Sequence, residues 1–82
     1  MRNIEQHIIE ILVDKFGIEK NQVTVNDELL NFGMDSIAII ELKFELLKKF
    51  ELEQEDLNIY EDDSINVLLN KIGPLIEEKK YA

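Results

Sequence analysis

Residues 36–50, Ser-Ile-Ala-Ile-Ile-Glu-Leu-Lys-Phe-Glu-Leu-Leu-Lys-Lys-Phe, place apolar side chains on two sides of one helix. At about 100° per residue, Ile39, Leu42, Leu46 and Phe50 form one stripe. Ile37, Ile40, Phe44 and Leu47 form a second, its centre roughly 130–140° from the first. One stripe is enough to seat a helix in a bundle. The other must be covered by a further segment or left for something outside the chain. We expect Ile39, Leu42, Leu46 and Phe50 inside and part of the second stripe exposed, and an exposed apolar strip is a docking surface. Lys48 and Lys49 close the helix where positive charge suits the dipole.

The approach to this helix reads Phe32-Gly33-Met34-Asp35-Ser36-Ile37. Gly33 tolerates a positive φ just ahead of the helix. Asp35 and Ser36 both cap helix N-termini through side-chain oxygens that accept free backbone N–H groups. Ser36 is therefore expected at or just inside the first turn, its hydroxyl near solvent. A serine so placed commonly does no more than cap. A phosphate on it would lie against unpaired N–H groups and the positive end of the helix dipole.

Elsewhere the periodicity is helical or loop-like. Ile4, Ile8, Ile11, Leu12 and Phe16 predict a first helix over about residues 3–16, ended by Gly17. Residues 17–35 read as a long loop with one helical turn near residues 27–31, pinned to the core by Val23, Val25, Leu29 and Phe32. Long loops in small domains are often functional. Residues 51–63 hold seven acids and no base, interrupted by Leu52, Leu57, Ile59 and Tyr60. They predict a loop with a short third helix over about residues 55–60, and either a solvated edge or a surface that steers basic partners. Ser64 or Asp63 caps a fourth helix over about residues 64–72, with Ile65, Leu68, Leu69 and Ile72 inward. Gly73-Pro74 is expected to stop or kink it, leaving residues 75–82 as a frayed tail. The expectation is one all-α domain over residues 1–82, a four-helix bundle with a long first loop and a short third helix.

Composition removes several kinds of chemistry. The chain has no cysteine, hence neither disulfides nor a thiolate of its own. Any thiol it uses must come from a cofactor. His7 is the only histidine, which excludes a zinc cluster built on two, and it reads as a solvated residue of the helix surface. The acids show no alternation of the kind a calcium loop requires, and no metal site is expected. No set of catalytic residues is legible. A hydrolase using Ser36 would need His7, and nothing places the two together. Eighteen acids against nine bases give a formal charge of −9 in 82 residues. That repels nucleic acid and favours partners with basic patches. No apolar run has the length of a membrane span. Residues 1–5 show no signal-peptide core, so the cytoplasm is the expected location.

The segment Gly33-Met34-Asp35-Ser36-Ile37, with the helix that follows, resembles the attachment site of acyl and peptidyl carrier proteins. Length, acidity and helix order fit that family over nearly the whole chain. The resemblance implies that Ser36 is esterified with 4'-phosphopantetheine from coenzyme A, that Asp35 is the flanking motif residue, and that the arm's thiol holds an acyl or aminoacyl thioester. It implies a phosphopantetheinyl transferase as one partner. Adenylating, acyl-transfer or condensing enzymes with basic docking patches are the others, contacting Ile37, Ile40, Glu41 and Phe44. Asp35-Ser36 is nearer acyl carriers than peptidyl carriers with His-Ser. Ala38, Lys43, Leu47, Lys48 and Lys49 depart from the more acidic helix of fatty-acid carriers. The expected role is a free-standing, monomeric carrier in polyketide or nonribosomal-peptide assembly. The alternatives are a D-alanyl carrier for cell-envelope modification, a fatty-acid synthesis carrier, and a small acidic interaction module without cofactor.

Overall fold

The inner stripe of residues 36–50 decides where the remaining segments pack. The computed structural model of the chain describes residues 3–81. Met1 and Arg2, part of the segment read for a leader, and Ala82 of the tail lie outside them. Three helices are present: α1 over Asn3–Phe16, α2 over Ser36–Phe50 and α3 over Ile65–Tyr81. Among the described residues there is no strand, only an isolated antiparallel bridge between Glu28 and Ser64. Ile8, Ile11 and Leu12 of α1 meet Ile39, Leu42 and Leu46 of α2 and Ile65, Leu68 and Ile72 of α3, all buried in one cluster. Burial of this kind is the main force holding short helices that would be marginal alone.

The fold is all-α, but the short third helix of the expected four-helix bundle is not there. Over residues 55–60 the chain makes only a 3-10 turn, Gln54–Asp56. Side-chain pairing accounts for it. Glu53 and Asp56 cap each other's backbone N–H groups, the Asp56 carboxylate accepting from Glu53 at 3.2 Å. Beyond the turn Leu57 and Ile59 are both buried, while Asn58 and Tyr60 are exposed. Residues two apart point about 200° apart on a helix and to one side on an extended chain. Leu57 accordingly has φ −135° and ψ 124°. Periodicity in this short stretch is that of a strand segment, and a helix would bury only one of the two.

Of the stop or kink expected at Gly73-Pro74, the stop does not appear: α3 runs through Pro74 to Tyr81. Proline removes one intrahelical bond, here the one to the carbonyl of Asn70. Asn70 and Pro74 are both exposed, so water can serve that carbonyl. Leu75 and Ile76, which follow it directly, pack against the core and give the helix a reason to continue. At its start, Ser64 Oγ accepts from Val67 N at 3.3 Å, the cap expected from the sequence.

The long loop is pinned as its apolar residues predict. Leu29 is fully buried, and Val23, Val25 and Phe32 pack on the cluster. Its helical turn lies at Leu29–Phe32, two residues later than expected, and a second 3-10 turn occupies Lys20–Gln22. The later turn lets Leu29 N donate to the Asp63 carbonyl at 2.8 Å and Leu30 N to the Glu61 carbonyl at 3.0 Å.

His7 departs from the solvated position expected of it. Its ring lies edge-on to Phe50, centroids 6.0 Å apart, and Nδ1 sits 3.9 Å from a Glu10 carboxylate oxygen without a hydrogen bond. Phe50, last residue of α2, overhangs this part of α1 and shields it. At the same end Glu51 adopts φ 56° and ψ 48°, a left-handed conformation usually given to glycine, and Leu52 N returns to the Leu47 carbonyl at 2.9 Å.

Two outcomes follow for stability. Leu42→Ala and Leu46→Ala should each lower unfolding free energy by about 2–5 kcal/mol in denaturant melts, as truncation of filled core positions does. Ile37→Ala should cost clearly less, and equal losses at Ile37 and Leu46 would contradict the packing of α2. Glu51→Gly should stabilise by roughly 0.5–1 kcal/mol. It relieves a left-handed penalty of about 1–2 kcal/mol and gives back part of that through a more flexible unfolded chain. A melt showing loss of stability would contradict it.

Candidate functional site

Construction of the site begins at Gly33. This residue closes the turn Leu29–Phe32 with φ 84°, and its N–H donates to the Leu30 carbonyl at 3.0 Å. The reversal drops Met34 into the core, where it is buried, and brings Asp35 to the N-cap of α2. Asp35 Oδ1 accepts from Ala38 N at 2.9 Å, and its backbone carbonyl from Ile39 N at 2.9 Å. Capping is therefore done by Asp35. Ser36 is the first helical residue, exposed, and its hydroxyl makes no hydrogen bond among the described residues. A serine needed only as a cap would have its oxygen on a backbone N–H, as Ser64 does. Ser36 instead presents a free hydroxyl at the positive end of a fifteen-residue helix.

The second stripe of α2 divides as the two-stripe pattern predicts. Ile37, Ile40 and Phe44 are 66%, 54% and 49% exposed, whereas Leu47 is buried at 8%. Glu41 is exposed beside them. Thus Asp35, Ser36, Ile37, Ile40, Glu41 and Phe44 share one continuous surface along the helix. Leu30, 51% exposed, extends its apolar part past Ser36.

On the other side of Ser36 lies a groove of about 510 Å³. One wall is Ser36, Ile39 and Ile40, and the opposite wall is Ile59, Tyr60, Glu61 and Asp62, with Leu30 at the end. Leu30, Ile39, Ile40 and Ile59 make its lining largely apolar, and Glu61 and Asp62 add acidic groups. The wall residues were not singled out from the sequence. Their signal was there in weak form: apolar Ile59 and Tyr60 set within the acidic stretch. Assigning them to this place needs the pairing of residues 61 and 63 with residues 29 and 30, which no local pattern announces.

Among the described residues no three His, Cys, Asp or Glu side chains gather as metal ligands. His7 lines a different groove, between α1 and the C-terminal half of α2, with Glu10, Asp14, Glu45 and Lys48. It is not brought to Ser36. No helix is long and apolar enough to cross a membrane among the residues described.

Comparison with known proteins fits this geometry. The family described as phosphopantetheine attachment site matches residues 6–72, which takes in most of α1, the long loop, Ser36 with all of α2, and the start of α3. An acyl carrier protein of Amoebophilus asiaticus is 34% identical over 85 residues, covering 100% of this chain and 98% of that protein. An acyl carrier protein of Azobacteroides pseudotrichonymphae is 31% identical over 82% of this chain and 75% of its own length. A 3-methylorcinaldehyde synthase of Talaromyces stipitatus is 31% identical over 74% of this chain, which corresponds to 2% of that much longer protein. No solved structure matches the chain. The chain belongs to the phosphopantetheine attachment-site family: it is an acyl carrier, not a catalyst, and its cofactor is a covalently attached 4'-phosphopantetheine.

Proposed function

We propose that Ser36 is the attachment residue, holding the phosphopantetheine arm through a phosphoester on its hydroxyl. The observation that carries this is the division of work at the start of α2. Asp35 satisfies the helix end, and Ser36 is left exposed and uncommitted beside it. The dipole and unpaired N–H groups of the first turn favour the phosphate's charge. Glu61 and Asp62 across the groove oppose it, so the phosphate is best placed over the helix end rather than in the groove. The arm beyond it is long and flexible, and an apolar cargo on its thiol can lie between Ile39 and Ile40 on one wall and Ile59 on the other.

The chain in this reading is a free-standing, monomeric carrier of acyl or aminoacyl thioesters in the cytoplasm, serving polyketide or nonribosomal-peptide assembly. Two observations support that pathway class over fatty-acid synthesis. Lys43, Lys48 and Lys49 make α2 more basic than the helix of fatty-acid carriers. Similarity also extends to carrier-sized parts of the Talaromyces synthase and of a probable polyketide synthase of Dictyostelium discoideum, 26% identical over 84% of this chain. Its partners are a phosphopantetheinyl transferase and adenylating, acyl-transfer or condensing enzymes that dock on Ile37, Ile40, Glu41 and Phe44. The formal charge of −9 steers enzymes with basic docking patches.

Incubation with coenzyme A and a broad-specificity phosphopantetheinyl transferase should add the mass of one phosphopantetheine, and Ser36→Ala should abolish the addition. Modification persisting in Ser36→Ala would overturn the site. Phe44→Ala should slow loading by a partner enzyme while circular dichroism stays helical, because buried anchors at interfaces contribute more than about 1 kcal/mol each. Glu41→Lys should impair loading most at low salt, the deficit shrinking as salt rises. Normal loading of Phe44→Ala by every cognate enzyme would refute the docking surface and leave Ser36 standing.

A further inference from the structure

The wall of the groove facing Ser36 has no helix to hold it. Between Leu57 and Ser64 the chain is irregular, and its own backbone supplies one turn bond, Asp63 N to the Tyr60 carbonyl at 3.0 Å. The missing third helix is replaced by a side chain from α3. Lys71 Nζ donates to the Asn58 carbonyl at 2.7 Å and to Asp63 Oδ2 at 2.7 Å. It also lies 4.9 Å from the centroid of the Tyr60 ring, within cation–π range. Asp63 Oδ2 accepts in addition from Tyr60 N at 3.0 Å. One ammonium group thus grips both ends of residues 58–63 and the aromatic ring between them. Asp63 is buried, and the pair with Lys71 is the one lysine–carboxylate bridge among the described residues. A buried carboxylate left without its cation is strongly destabilised.

We propose that Lys71 is a positioning residue for the carried group. It sets the place of Tyr60, Glu61 and Asp62, and hence the width of the groove beside Ser36, so that an apolar cargo is shielded while bound. This rests on the attachment of the arm at Ser36. Lysine is suited to the task because one compact ammonium with three donors reaches a carbonyl, a carboxylate and a ring face together. Arginine can keep the charge and both acceptors. Methionine keeps the apolar stem and loses every polar contact.

The test loads the full chain with octanoyl- or acetyl-phosphopantetheine from the corresponding coenzyme A thioester and follows cleavage by hydroxylamine through intact mass. With the natural residue, the octanoyl thioester should be cleaved more slowly than the acetyl. Lys71→Met should speed octanoyl cleavage by about tenfold, the scale set by losing charge-assisted hydrogen bonds. Acetyl cleavage should stay unchanged and Lys71→Arg should restore the slow rate. A purely structural role would shift the melting temperature and move both thioesters together, and that result would overturn the proposal. If Lys71→Met does not fold, Asp63→Asn, which removes the ion pair and retains an acceptor for Tyr60 N, should show the same selective loss. Unchanged octanoyl cleavage in the folded variant would overturn the role of Lys71 alone. No mass addition to the unsubstituted chain would overturn the attachment reading, and this inference with it.

Discussion

A short seam between two irregular segments holds the site together. Leu29 N and Leu30 N donate to the carbonyls of Asp63 and Glu61, and Asn66 N donates to the Val25 carbonyl at 3.0 Å. These bonds tie the long loop to the chain just ahead of α3, and an Asn66–Asn26 side-chain hydrogen bond reinforces them. Buried backbone groups must find partners, and outside helices these segments satisfy one another. Leu29 plugs the core beneath the seam, which fixes where the turn ends and where Gly33 reverses the chain. The direction of α2, the cap at Asp35 and the exposure of Ser36 all follow from that reversal. So does the groove, since its far wall is the other half of the seam.

Within α2 the decisive quantity is the angle between stripes. Stripes about 135° apart cannot both face a core on one side of a helix. Burying Ile39, Leu42 and Leu46 leaves Ile37, Ile40 and Phe44 outward, and the loss of apolar burial there is tolerated by the fold. Leu47 escapes because it lies at the edge of the second stripe nearest the first and at the end of the helix, where Leu52 folds back to Leu47. Exposure near the N-terminus and burial near the C-terminus place the apolar strip beside Ser36 rather than along the whole helix.

What was legible in the sequence was whatever a single helix expresses by itself. The limits of α1 and α2, the inward stripe, the cap and the exposed serine follow from local spacing and residue type. The third helix and the stop at Gly73-Pro74 were misread for opposite reasons. Acidic residues with Leu57 and Ile59 looked helical in composition, but two apolar residues two apart demand an extended chain if both are to be buried. Pro74 looked like a terminator, but its unsatisfied carbonyl partner faces water, and Leu75 and Ile76 still have a core to meet. His7 was read from its own helix, where it falls among polar neighbours, and its shielding comes from Phe50, forty-three positions away. The wall of the groove was illegible because it depends on long-range backbone pairing and on one lysine of α3.

A carrier has conflicting physical requirements at its attachment point. The modified residue must be reachable by several enzymes, while the group it carries gains from being shielded. With the arm on Ser36, as proposed, the two demands would fall on the two flanks of that residue, which meet at Ile40. Toward Ile37 and Phe44 the side chains are exposed along a helix, and Ile40 is shared between that face and the groove. Toward Tyr60 and Asp62 the surface is concave and bounded by a segment without regular structure. Rigid elements make better recognition surfaces because little order is lost on binding. An enzyme docking on α2, as proposed, would meet a surface already formed. The concave side is fixed as well, since residues 58–63 carry the carbonyls of the seam and bury Ile59 in the core.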